Sequence, residues 1–308
     1  MLQERTPTLY KRMELLIAAN RGDAEAIKAL FASGADMDVL QQNGGTPMII
    51  AAKQGHVCTI KTMASLGADI NKQNNHCITA LFLAAQYGHA TAIQALAELG
   101  GDTNTPQQDG ATPVFVASQN GHAEAVYTLF VSGADINIPQ KDGATPVYIA
   151  AQNGHIDAIK ALAVLGADVN TSNESGATPV YIAAKHDHAD AIKTLFISGA
   201  NVNTPNNRGV TPVYIAAKNG HVDAVKVLSA LGADIYTPNN RGVTPVSVAS
   251  QKGHMDAVEA LSALGANVNT PNKDGAFPKS VATRKRHVAS IRCLYRLSAD
   301  VETIIPVV

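Results

Sequence analysis

Apolar residues in this chain come in short clusters that return every 33 positions. One period, from Gly143 to Ser175, shows what each cluster encodes. Thr145-Pro146 reads as a helix start, because the Thr hydroxyl can accept from an orphan N–H and Pro suits the first helical position. The segment 146–153 then predicts a short helix, and Gly154 ends it where a left-handed residue is needed. Ile156, Ile159, Leu162 and Ala163 lie on one stripe of a second helix, from about Ile156 to Leu165, which Gly166 stops. The polar stretch from Asp168 to Gly176 is rich in turn formers. Each period is therefore helix, turn, helix and turn-rich loop.

The period runs the length of the chain. Pro47, Pro113, Pro146, Pro179, Pro212, Pro245 and Pro278 stand on one ladder, with Ala80 at the missing rung. His56, His89, His122, His155, His188, His221, His254 and His287 form a second. Nine such units reach from roughly residue 8 to 304. A length of 308 residues suggests two domains at ~150 residues each, but the repeat replaces that expectation with one array. No unit can bury its apolar stripe alone; stacked neighbours bury it for one another. The alanine pairs 150–151, 183–184 and 216–217 let helices approach closely.

The stretches Gly143-Ala-Thr-Pro-Val-Tyr-Ile-Ala-Ala-Gln-Asn-Gly-His155 and Leu165-Gly-Ala-Asp-Val-Asn170 resemble the ankyrin repeat. The resemblance covers nearly the whole chain. It implies an all-α ankyrin-repeat solenoid, with a helix-turn-helix and a β-hairpin loop in each repeat. One departure is systematic: the family usually has Leu-His after Thr-Pro, and here the pair is Val-Tyr, Val-Phe or Met-Ile. The end units depart further and are expected to act as caps. Residues 1–40 form an N-terminal capping region with the first repeat, 41–271 hold seven internal repeats, and 272–308 a C-terminal capping repeat and tail. A polar outer face is the expected device at each end.

Composition narrows the function. Lys and Arg number 24 against 25 Asp and Glu, so no global charge invites nucleic acid. Hydrophobic residues make up 46% of the chain, which excludes disorder. No apolar run approaches the ~18 residues of a membrane span, and the polar N-terminus lacks the apolar core of a secretory signal. Three cysteines make no disulfide framework, in keeping with a cytoplasmic protein. The His rungs stand one repeat apart, too far to share a zinc ion, so their role is to hold the turn between helices. His186-Asp187-His188 reads as a divergent turn, with a weak surface metal site as the alternative. No nucleophile-base motif, phosphate loop or zinc-protease motif occurs, and repeated Asp rungs describe a scaffold. The chain is read as no enzyme, with no cofactor and no metal.

What remains is binding. The resemblance implies a concave surface made by the loop tips and the outward side of each first helix. On it the sequence places an aromatic row, Phe115, Tyr148, Tyr181 and Tyr214, flanked by Lys185, Arg208, Lys218 and Arg241. The row either faces the groove or packs between repeats with only its hydroxyls wet. Tyr and Arg are enriched at interface hot spots. Residues 1–154 carry a net charge of −4 and residues 155–308 a net charge of +3, so an acidic partner segment would dock on the later repeats. The expected function is that of a monomeric scaffold or adaptor binding a protein or extended peptide. Such a protein fits the cytoplasm of a eukaryote, or a host cytosol if a host-associated bacterium delivers it. In the alternative, Asn137 and Asn170 are targets of an asparaginyl hydroxylase, since Leu129 and Leu162 precede Asp-aliphatic-Asn as in that enzyme's ankyrin substrates.

Overall fold

The computed structural model describes residues 5–41 and 44–302. The outermost parts of the two expected end regions, 1–4 and 303–308, lie outside the described residues. Among the described residues there are eighteen helices in nine pairs and no strand. The chain divides into two compact units. One reaches up to Ala150 and includes Asp157–Ala167; the other comprises Ala151–Ile156 and the described chain from Asp168 onward. In each unit, first helices pack on first helices and second helices on second helices.

The helix starts follow from Thr-Pro. Thr211 adopts an extended backbone, Pro212 opens the helix Pro212–Asn219, and the Thr211 hydroxyl accepts from the Tyr214 N–H at 3.2 Å. Thr46, Thr112, Thr178 and Thr244 do the same for their own helices, and Thr79 caps its helix without a proline, ahead of Ala80. Each of these threonines is buried, so its hydroxyl must find a partner, and the cap supplies one. The core is a file of small and branched side chains. Ala183, Ala184, Ile192 and Leu195 of one repeat, and Ala216, Ala217, Val225 and Leu228 of the next, have no exposed surface.

The second helices begin differently. His56, His89, His122, His188, His221 and His254 stand at their N-caps, and none of these rings caps its own helix. The rings reach to the preceding repeat instead. Nε2 of His56, His89, His122, His188 and His221 lies 2.9–3.1 Å from the backbone oxygens of Asn20, Lys53, Gln86, Gln152 and Lys185. A carbonyl only accepts, so Nε2 carries the proton in these bonds. The ladder therefore joins repeats rather than closing its own turn.

That contact doubles the demand for glycine at the turn. Gly220 has φ +78°, and a Cβ there would stand 2.6 Å from His254 Nδ1. Gly22, Gly55, Gly88, Gly154 and Gly253 meet the next His at 2.7–2.9 Å in the same way. Asp187 and Arg286 replace glycine at this rung, with φ +62° and +61°. At Asp187 a new contact accompanies the change. The Asp187 Oδ1 accepts from the Ala224 N–H at 3.2 Å and caps the helix Val222–Ala230, while Oδ2 lies 3.8 Å from His221 Nδ1.

The ends differ from expectation. The first helix, Arg5–Arg21, exposes Tyr10, Met13 and Ile17, so its outer face is not the polar cover expected of a cap. In the last repeat Phe277, Val288 and Tyr295 are exposed beside the basic run Arg284-Lys285-Arg286, and Lys279 Nζ sits 3.8 Å over the Tyr295 ring.

Two glycines separate backbone strain from ring contact. Gly232 also has a positive φ, +84°, but a Cβ there meets nothing within 4 Å. Gly232→Ala should therefore cost only the left-handed backbone, about 1–2 kcal/mol. Gly220→Ala should cost clearly more in urea unfolding, because the His254 ring must also move. Equal losses would remove the ring from the account.

Candidate functional site

The loops that precede each first helix are closed by side chains and then joined to their neighbours. Asn206 Oδ1 accepts from the backbone N–H groups of Arg208 and Val210, which holds the loop in a tight turn with the Arg208 side chain outward. Asn239 does the same for Arg241 and Val243. Successive tips are linked by backbone bonds: Asn207 N–H to Ser175 O, Asn240 N–H to Arg208 O, and Lys273 N–H to Arg241 O, at 3.1, 3.1 and 3.3 Å. In the other unit Lys141 N–H bonds Asp109 O in the same manner. The tips thus form a hydrogen-bonded edge, although no segment is long enough to be a strand.

Behind the tips lie the aromatic side chains. Phe115, Tyr148, Tyr181 and Tyr214 are all buried. Of the two placements expected of this row, the structure has the second: the rings pack between repeats and do not face a groove. The Tyr181 hydroxyl accepts from Asn206 Nδ2 at 3.4 Å and the Tyr214 hydroxyl from Asn239 Nδ2 at 3.0 Å. The same two asparagines that shape the tips therefore also hold the phenols. Burial raises the pKa of Tyr181, opposed by the Arg208 charge. Burial pushes Tyr214 up to about 12, with Arg241 opposing it and Tyr181 adding to it.

The flanking cations are placed as surface groups. Lys185 and Lys218 are exposed near the ends of their first helices, and Arg208 and Arg241 are exposed at the tips. The Arg208 charge acts on the titration of Tyr181, and the Arg241 charge on that of Tyr214. Carboxylates bracket this edge, with Glu174 at an earlier tip and Asp274 after Lys273. His186, beside Lys185, has its pKa lowered by burial and by the charges of Lys185, His188 and His221. Among the described residues no group of three or more His, Cys, Asp or Glu is placed to hold a metal ion. No helix among them is long and apolar enough to cross a membrane.

Asn137 and Asn170 are exposed as residues. Asn170 nevertheless has its amide engaged. Nδ2 donates to Gly199 O at 3.2 Å and Oδ1 accepts from the Asn201 N–H at 2.8 Å. Asn71 makes the same pair with Gly100 and Asp102. These amides clamp one repeat to the next.

Sequence reasoning missed an open groove in the first three repeats. Its volume is about 640 Å³, and Leu16, Ile17, Ile49, Ile50 and Leu83 give it an apolar floor. The signal was available: positions 16 and 49, on the rung of the buried aromatics, are aliphatic.

The family model described as ankyrin repeats (3 copies) matches the chain in overlapping segments from residue 15 to residue 304. No curated protein matches it.

The Tyr214 phenol offers a test of the packing. Its folded pKa of about 12 lies above the ordinary 10, so the stability it contributes is complete below pH 10. That stability is lost as pH rises from 10 towards 12. Thermal melts of the wild type should fall over this window more steeply than those of Tyr214→Phe, which cannot ionise. Parallel curves would mean that the ring is not held as described.

Proposed function

Because the chain belongs to the ankyrin-repeat family, whose repeats mediate protein binding, we propose that it is a non-catalytic scaffold or adaptor that takes an acidic segment of a protein partner. One observation carries this reading. Arg208, Arg241 and Lys273 occupy three consecutive tips joined by backbone hydrogen bonds, with Lys185 and Lys218 exposed on the neighbouring first helices. Arg208 and Arg241 hold the same tip position in successive repeats, and Lys273 stands one residue earlier in the next tip, where Asp274 takes the equivalent position. This short row of cations matches carboxylates spaced along an extended chain. The buried Tyr181 and Tyr214 act as supports, through Asn206 and Asn239, and not as contact surface. A compartment shared with a eukaryotic partner, whether the chain's own or a host's, suits this role.

Exposure of Asn137 and Asn170 supports a second reading, in which a hydroxylase modifies these positions. Since the Asn170 amide clamps the next repeat, the enzyme would need a local opening first. Incubation with an asparaginyl hydroxylase should then add one oxygen at these asparagines faster in a destabilised variant than in the wild type. Unmodified peptides from both proteins would reject it.

Charge reversal tests the main reading. Arg208→Glu with Arg241→Glu should slow association with a captured acidic partner at least tenfold and flatten its salt dependence, while the melting temperature stays unchanged. Association that keeps its rate and salt dependence would refute a role for this edge.

A further inference from the structure

We propose that the groove in the first three repeats is a second binding site, made by two missing aromatic rings, for an extended protein segment that carries both apolar and acidic side chains. The inference rests on the family's protein-binding role but not on the cations of the later repeats.

The argument begins with what a ring at this rung covers. Tyr181 and Tyr214 reach towards the loop ahead, where their hydroxyls meet Asn206 and Asn239, each 25 residues on. The first-helix residue 34 places beyond each ring is closed off. Val116 and Ile149 follow Phe82 and Phe115, and Ile215 and Val248 follow Tyr181 and Tyr214; their exposures are 4%, 7%, 5% and 2%. Where the rung has no ring, the cover fails. Ser247 is followed by Val281, which is half-buried. Leu16 is followed by Ile50, and Ile49 by Leu83, and both of these are half-buried as well. The residues 25 places beyond Leu16 and Ile49 are Gln41 and Asn74, and both line the groove. The groove is therefore the space that two aromatic side chains fill elsewhere.

Its chemistry selects the occupant. Leu16 with Ile50, and Ile49 with Leu83, make two apolar subsites one repeat apart. Asn20, Gln54 and Asn74 supply amides at the rim, and Gln54 Nε2 is already held by Asn20 Oδ1 at 3.1 Å. Asn74 Oδ1 accepts from His76 and Ile78, as Asn206 does in its own loop, but Ile49 offers its amide no phenol. Arg21 and Lys53 are the charged residues lining the groove, and no carboxylate lines it among the described residues. Lys53 Nζ is steadied 5.3 Å above the Tyr87 ring. Two apolar subsites beneath two cations fit a chain whose side chains alternate between apolar and acidic.

The test uses three labelled twelve-residue peptides, alternating Leu/Asp, Leu/Lys and Ser/Asp, titrated by fluorescence anisotropy against the full chain. Leu/Asp should bind at least tenfold more tightly than either of the others. Ile49→Tyr should fill the groove and weaken Leu/Asp binding at least tenfold without lowering the melting temperature. Should the ring disturb the fold, Arg21→Glu with Lys53→Glu leaves the floor intact and should give the same loss. Arg241→Glu should leave Leu/Asp binding unchanged, which separates this site from the basic edge. The proposal is overturned if Leu/Asp fails to bind, if Leu/Lys binds as well, or if Leu/Asp affinity survives the charge reversal.

Discussion

The contact between a turn glycine and the histidine of the following repeat is the constraint on which the rest of the structure depends. The ring lies so close to the turn that a Cβ at Gly154 would meet His188 at 2.7 Å. Its Nε2–H is fixed on a carbonyl at the end of the preceding first helix, Gln152 O in this case. One side chain thus satisfies a helix-end acceptor that would otherwise be orphaned, and it sets the distance between repeats. Once that distance is set, alanines fill the space between first helices, and the amides of Asn71 and Asn203 reach the next repeat. No short helix of seven to nine residues would persist alone in water. Its stability is a property of its neighbours.

On this frame, one rung decides how much of each repeat is open. A ring at that rung closes the surface ahead of it, and its hydroxyl ties the loop through an asparagine, as Tyr214 does with Asn239. An aliphatic side chain at Leu16 or Ile49 leaves the surface ahead open. The later repeats accordingly present charge at their tips over a closed floor. The first repeats present an apolar floor under amides and two cations. The same backbone carries both surfaces, and the difference lies in side-chain volume at two positions.

Much of this was legible in the sequence. The period, the Thr-Pro helix starts and the glycine stops place both helices of the repeat at 143–175 within a residue of where they lie, Pro146–Asn153 and Ile156–Val164. These are local signals: a cap, a ring-locked φ and a left-handed turn act within a few residues. The side-chain environments were not legible in the same way. The Tyr181 hydroxyl is held by Asn206, which lies 25 residues away, beyond any local signal of the helix that carries the ring. The histidines pointed backward, into the preceding repeat, for the same reason. The outer face of the first helix was expected to be polar because the end of a stack meets water, but helical geometry turns Tyr10, Met13 and Ile17 outward. Pairing each rung with its successor, rather than reading each repeat by itself, would have revealed the groove.

Gly22 and His56 are halves of one lock, yet they belong to different repeats, and each internal repeat except the one with Asp187 carries one half of each kind. Any whole copy can therefore follow any other and still close the joint. Lengthening such a gene by duplicating complete units requires no compensating mutation, wherever in the unit the break falls. A partial insertion, by contrast, puts glycine and histidine out of step. Asp187 shows how one joint can drift after copying: the glycine is gone, His221 still holds the Lys185 carbonyl, and a carboxylate that caps the next helix has been added to the connection. The chain's regularity is thus a record of growth by interchangeable parts.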